Sequence, residues 1–216
     1  MSDLFSDANH AQPGVEILDS GVVLLHGFAL QQSESLKREI NKIDQQSPYR
    51  QLTTPGGLKM SVTTTSCGDL GWHSDEYGYR YVRRDPISDL PWPKMPDSFL
   101  QLASCAAAKA GFDHFKPDAC LINRYMPGNK MSLHQDKNEL DFSAPIVSVS
   151  LGLPAVFMFG GLRRSDPVSK LRLHHGDVLV WGGPARLRFH GVMSLGQGHD
   201  PAWGSQRINL TFRKAG

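Results

Sequence analysis

The chain has 216 residues, 23 basic and 21 acidic side chains, a formal charge of +2 and 40% hydrophobic content. That size suits one sizeable domain with an embedded lid, and so small a charge excludes recognition of nucleic acid by bulk electrostatics, leaving any such role to local features. No stretch approaches the roughly 20 apolar residues of a membrane helix, and the opening MSDLFSDANHAQPG lacks a basic segment followed by an apolar run. Cys67, Cys105 and Cys120 are too few for a disulfide framework and lack CxxC spacing, so a cytoplasmic, membrane-free protein with reduced cysteines is expected.

Taken in chain order, the first clear element is a helix from about Ser33 to Gln46, where Leu36, Ile40 and Ile43 recur at helical spacing and Ser47-Pro48 supplies the stop. A second helix opens beside Pro96, gathers Phe99, Leu102, Ala103 and Ala106 on one face, and ends at Gly111. Residues 48–95, between them, differ in character. They contain Gly56-Gly57, a β-like run from Met60 to Ser66, a turn at Cys67-Gly68, a second run centred on Tyr77 to Arg83, and a proline-rich exit, which together suggest a lid built of hairpins. In the second run Tyr77, Tyr79 and Tyr81 alternate with Gly78 and Arg80; a strand would put three rings on one face, suited either to stacking on bases or to covering the core.

After Lys116 the pattern is almost wholly β. Short runs rich in Val, Ile, Leu and Phe cover Ala119 to Tyr125, Ile146 to Leu153, Ala155 to Phe159, Leu171 to Leu173, Val178 to Trp181, Leu187 to Val192 and Arg207 to Arg213. Gly, Pro and Asp turns separate them at the intervals of a double-sheet barrel. The expected fold class is therefore α+β and mainly β: one domain over 1–216, with two N-terminal helices, the lid at 48–95 and a jelly-roll core over 117–216.

The chemistry centres on LHQDKNE, where His134 and Asp136 would point the same way from an extended backbone. His190, on a later strand, completes two histidines and one carboxylate, a set that holds one metal ion and leaves positions open on it. An HxD pair with a distant histidine arises readily in a chain with nine histidines, and a turn His134, a core His190 and a capping Asp136 form the competing reading.

RINLTFR weighs against that competitor. As a strand it aligns Arg207, Asn209, Thr211 and Arg213 on one face, and a buried guanidinium requires a partner, which a dicarboxylate cosubstrate would provide. Six residues of strand span about 20 Å, so Arg207 is assigned to the distal carboxylate and Arg213 to the metal end. LINRY repeats the logic with Asn123 and Tyr125, unless it is a solvent-facing edge strand.

The segments PGGLKMSV, CGDLGW, PWPKMP, PDACLINRYMPGNKMSLHQDK, APIVSVSLGLPAVFMFGG, HGDVLVWGGPARLRFHGV and RINLTFRKAG, in that order, resemble the AlkB family of Fe(II)- and 2-oxoglutarate-dependent dealkylating dioxygenases. The resemblance runs through most of the chain. It implies a double-stranded β-helix with a nucleotide-recognition lid, Fe(II) held by His134, Asp136 and His190, and 2-oxoglutarate contacts from Asn123, Tyr125, Arg207, Asn209 and Arg213. It further implies oxidative removal of alkyl groups from bases of the 1-methyladenine and 3-methylcytosine type in single-stranded DNA, with O2 consumed and aldehyde, succinate and CO2 released. The base would lie between Trp72 and the His134 ring, with Tyr79 and Tyr81 near the phosphate and Arg164 lining its pocket.

One position departs from the family pattern: Asn138 stands where an acidic residue is expected to face the base edge, so a weaker preference for cationic bases is expected. A flipped or single-stranded base is required for access, and Lys130, Lys137, Arg80, Arg83 and Arg84 are candidate backbone contacts. RNA or protein demethylation within the same cofactor class is the nearer alternative. A zinc hydrolase would leave the polar face of RINLTFR without a purpose, and a non-catalytic binding module would not need an intact metal and cosubstrate set. A monomer is expected, since no exposed heptad or long apolar edge announces a partner.

Overall fold

The computed structural model describes residues 14–216; residues 1–13 of the polar opening segment lie outside them. Thirteen strands and two helices are present among these residues. Seven strands form the large sheet, in the order β1 (Gly14–Asp19), β2 (Val22–His26), β11 (Val178–Trp181), β8 (Ile146–Gly152), β13 (Arg207–Arg213), β6 (Ala119–Tyr125) and β3 (Thr63–Gly68). A second sheet runs β10 (Ser169–Leu173), β9 (Ala155–Phe159), β12 (His190–Val192), β7 (Met131–His134), and β4 (Gly71–Asp75) with β5 (Gly78–Val82) makes a separate hairpin.

Strand alternation explains the layering. In β13, Ile208, Leu210 and Phe212 pack on one side with Leu36, Ile40 and Ile43 of α1 (Ser33–Gln46) and Phe99, Leu102 and Ala106 of α2 (Asp97–Lys109). β2 and β11 split in the same way: Val23, Leu25, Val178 and Val180 face the helices, whereas Val22, Leu24, Leu179 and Trp181 join Phe157, Phe159 and Val192 in the second core, between the sheets. Both faces of the large sheet are thus covered, one by helices and one by the smaller sheet. This is the mainly-β double-sheet architecture expected, with its helices on one outer face.

Several local expectations change. The run Leu187 to Val192 is a strand only from His190, because Gly182 to Arg186 form a tight 3-10 turn around Gly183-Pro184 and the chain re-enters the sheet late. Cys67-Gly68 is not a turn but the end of β3, where Cys67 is buried directly opposite Cys120 of β6. Tyr77 lies in the β4–β5 turn at 83% exposure, so only Tyr79 and Tyr81 share a strand face. Within 48–95, β3 belongs to the large sheet and only β4–β5 stands apart from it.

Two glycines shape what surrounds the site. A Cβ on Gly71 would meet Trp92 Cε2 at 2.1 Å, and the Trp92 indole donates to Val82 O at 2.9 Å, so this tryptophan braces the hairpin from beneath. A Cβ on Gly191 would meet Met131 O at 2.6 Å; its absence lets β12 approach β7 where their register shifts.

Candidate metal and cosubstrate site

His134 closes β7, and His190 opens β12 as its direct partner across the antiparallel pair. Pairing of the two strands, rather than sequence proximity, brings the histidines together, with ring centroids 4.4 Å apart. Asp136 follows just beyond β7. Its Oδ1 lies 3.7 Å from His134 Nε2 and its Oδ2 3.7 Å from His190 Nε2, and one donor atom from each residue falls within 4.8 Å of the others. Each histidine bonds through Nδ1 to a carbonyl, that of Ser132 at 2.9 Å for His134 and that of Arg188 at 3.0 Å for His190. Both Nε2 atoms are thereby turned toward the same point, as histidine metal ligands require.

The electrostatics suit a cation. Burial, reinforced by the neighbouring His134, pushes the His190 imidazole down to about 3, keeping it neutral and able to donate a lone pair. Burial alone would raise Asp136, but the Arg213 guanidinium overrides it and holds the carboxyl well below the usual range. Arg213 donates to Asp136 Oδ2 from Nε at 2.8 Å and from Nη2 at 2.5 Å, and its Nε lies 3.3 Å from Glu139 Oε1.

At the other end of β13 is Arg207, 1% exposed. Its Nη2 donates to Ser150 Oγ at 3.0 Å and its guanidinium lies 5.0 Å from the centre of the Tyr125 ring, but Nε and Nη1 have no hydrogen-bond partner among the described residues. A buried guanidinium with two unsatisfied donors is a site for an anion, and a planar carboxylate matches its fork. Between the two arginines a band of buried polar groups crosses four strands: Thr64, Asn123, Asn209 and Ser150 in one row, Ser66, Thr211 and Ser148 in the next. Asn209 donates to Ser148 Oγ at 2.8 Å and Val149 O at 2.9 Å and accepts from Thr211 at 2.9 Å, while the Tyr125 hydroxyl lies 3.8 Å from Met131 Sδ.

The β4–β5 hairpin meets the segment after Asp136. Trp72 stacks on Tyr79 with centroids 5.7 Å apart and planes 15° from parallel. The Tyr81 hydroxyl donates inward to Glu139 Oε1 at 2.8 Å, and burial pushes its phenol well up. Asn138, exposed, donates to Tyr79 O at 3.2 Å. Arg164 is also exposed; it donates to Leu133 O at 2.7 Å and covers the Phe189 ring. Lys130 and Lys137 are on the surface, Arg83 and Arg84 are exposed, and Arg80 is held in the hairpin by both oxygens of Asp75. Sequence reasoning missed Glu139, Arg186, Thr64, Ser66, Ser148 and Ser150. Ser148 and Ser150 sit in IVSVSLG, which reads as an apolar strand, and Glu139 closes LHQDKNE with nothing to distinguish it from a surface acid.

Comparison with known proteins agrees with this geometry. Residues 21–213 match the model of the 2OG-Fe(II) oxygenase superfamily. The chain is 56% identical over 216 residues to the alpha-ketoglutarate-dependent dioxygenase AlkB of Escherichia coli strain K12, covering 100% of this chain and 99% of that protein. It is 55% identical over 215 residues to the AlkB dioxygenase of Salmonella typhimurium, covering 100% and 98%. The solved structure of OsALKBH1 superposes with a TM-score of 0.81 at 29% identity, over 93% of this chain and 100% of that one. The chain belongs to the 2OG-Fe(II) oxygenase superfamily and, within it, to the AlkB dioxygenases that depend on Fe(II) and 2-oxoglutarate.

Proposed function

We propose that this dioxygenase removes alkyl groups oxidatively from N-alkylated bases of the 1-methyladenine and 3-methylcytosine type in DNA, preferring single strands, as a cytoplasmic monomer in DNA repair. The observation that carries the reading is the His134–Asp136–His190 donor set and the unsatisfied guanidinium of Arg207 at opposite ends of one buried polar band, beside a hairpin that presents stacked aromatic rings. Three free cysteines accord with a reducing compartment, and no helix among the described residues is long and apolar enough to cross a membrane.

The residues fit the groups the family uses. His134, Asp136 and His190 would hold Fe(II), three protein donors leaving positions free. With 2-oxoglutarate bound, the iron supplies the oxidation of the N-alkyl carbon by O2, coupled to release of succinate and CO2. Arg207, which has guanidinium N–H groups without a protein partner, would take the distal carboxylate of the cosubstrate, with Tyr125 beside it. Asn123 and Asn209 belong to the band between, and Arg213 neutralises the metal end while fixing Asp136. The apolar wall of Phe157, Phe159 and Trp181 excludes water from one side.

The lid, 48–95, and above all β4–β5, receives the base over the catalytic core, 117–216. Trp72 and the His134 ring sandwich it, Tyr79 and Tyr81 lie near the phosphate, Arg164 lines the pocket, and Asn138 faces the base edge. Stacking favours a base already unpaired, which motivates the single-strand preference. Because Asn138 is neutral, cationic lesions lose one electrostatic advantage over neutral adducts.

Matched DNA and RNA oligonucleotides carrying 3-methylcytosine, and a peptide carrying methyl-lysine, compared for formaldehyde release, test the substrate class. The DNA strand is expected to give the highest kcat/KM. Turnover of the peptide with the DNA inert would overturn the proposal.

A further inference from the structure

Arg186 takes no part in the roles above, yet it is 2% exposed and lies where the two halves of the metal site meet. It ends the 3-10 turn Gly183–Ala185, four residues before His190. Its side chain reaches across to the segment 136–144, the chain that leaves Asp136 and returns to β8. Nη1 donates to Asp136 O at 2.9 Å, Nε donates to Ala144 O at 3.1 Å, Nη2 lies 3.2 Å from Glu139 Oε2, and the Phe142 ring covers the guanidinium at 5.4 Å. One planar group thus fastens the beginning, middle and end of a segment that has no regular secondary structure of its own.

Strand pairing ends at His134, so no strand pairing fixes the backbone of Asp136. Its side chain is held by Arg213 from β13, and its backbone by Arg186 from the His190 side. Gln135 adds a parallel tie, donating to Leu187 O at 2.6 Å. The same segment carries Asn138, which touches the hairpin at Tyr79 O, and Glu139, which receives the Tyr81 hydroxyl. Loosening it would therefore disturb a metal ligand and the hairpin contacts together, while leaving Arg207, at the far end of β13, in place.

We infer that Arg186 is a positioning residue: its guanidinium sets the backbone of residues 136–144, and so fixes both the metal carboxylate and the face that meets the base. Lysine cannot replace it, because a single ammonium on a flexible stem cannot reach two carbonyls and a carboxylate in the directions a planar fork serves. The kinetic part of this inference rests on the functional reading above; the structural part does not.

The test compares wild type, Arg186→Lys and Phe142→Leu, the last leaving the guanidinium in place but thinning its cover. In metal-free protein, amide hydrogen exchange across 137–143 is expected to rise about ten-fold in Arg186→Lys, in keeping with loss of one charge-assisted bond, and to a smaller extent in Phe142→Leu. Calorimetric titration with Mn(II) should show weaker binding, and the KM for a methylated oligonucleotide should rise while that for 2-oxoglutarate stays at the wild-type value. Exchange across 137–143 unchanged in the folded variants overturns the inference, as does a loosened segment with Mn(II) affinity and oligonucleotide KM both at wild-type values. Should Arg186→Lys not fold, Phe142→Leu decides by the same signs. Absence of oligonucleotide turnover in the wild type would instead count against the proposed substrate, with the exchange and Mn(II) measurements still deciding the role of Arg186.

Discussion

Arg213 and Asp136 form a buried ion pair in which one carboxylate oxygen receives two N–H donors, at 2.8 and 2.5 Å, while lying 3.7 Å from His190 Nε2. The arginine therefore does two things: it keeps the carboxylate ionised in a buried place and fixes the direction in which it faces the histidines. Replacing it with methionine leaves a buried charge uncompensated. Arg213→Met is expected to lower the stability of the chelator-treated protein by about 3–5 kcal/mol, read from urea unfolding. A midpoint equal to the wild type would contradict this account of the pair.

Arg207 behaves in the opposite way, because it is buried with two donors that have no partner among the described residues. Arg207→Met should leave the stability without cosubstrate unchanged or improved, since a desolvated, half-satisfied charge is removed. Its KM for 2-oxoglutarate should rise by about 10- to 100-fold, corresponding to about 1.5–3 kcal/mol for hydrogen bonds to a charged group. Steady-state succinate formation checks this; an unaltered KM would remove Arg207 from the cosubstrate site.

Asn138 faces solvent beside the hairpin and carries no charge. Introducing a carboxylate there with Asn138→Asp should favour 1-methyladenine over a neutral adduct such as 1-methylguanine by about 1 kcal/mol, or about five-fold in relative kcat/KM, less in high salt. Equal ratios for variant and wild type would show that this position does not sense the charge of the base.

His175 offers a pH test away from the metal. Gly152 N donates to its Nδ1 at 3.1 Å, a bond that only the neutral ring accepts, and burial pushes its pKa down despite Asp200 and Asp177 nearby. A group whose folded pKa is depressed stabilises the fold above its unfolded value, about 6.5, and that stability is lost as pH falls toward the folded value. Between pH 7.5 and 5.5 the urea midpoint of the wild type should therefore fall further than that of His175→Gln. Parallel losses in the two proteins would contradict the assignment.

How much of this the sequence disclosed depended on whether a residue's neighbours along the chain betray its environment. The alternation in RINLTFR sufficed to place polar groups on the inner face of β13, because a period of two is read directly, and α1 and α2 were equally plain. His190 could be paired with His134 in principle, but the register that sets them opposite one another depends on the approach of β12 to β7, which no local pattern reports. Arg186 is indistinguishable in GGPARLRFH from Arg188, whose side chain reaches Asp19 near the surface; only the tertiary fold buries one and not the other. Alternation alone groups Tyr77 with Tyr79 and Tyr81, whereas the tight turn after Asp75, closed by Tyr77 N donating to Asp75 Oδ1 at 3.0 Å, takes it out of the strand.

The central claim is that oxidation at the His134–Asp136–His190 centre is spent on the alkyl group of a DNA base. Protein loaded anaerobically with Fe(II), 2-oxoglutarate and excess single-stranded oligonucleotide carrying 1-methyladenine, then exposed to oxygen, should yield formaldehyde and succinate in equal amounts, with both abolished by His134→Ala. Succinate formed without formaldehyde would contradict the claim.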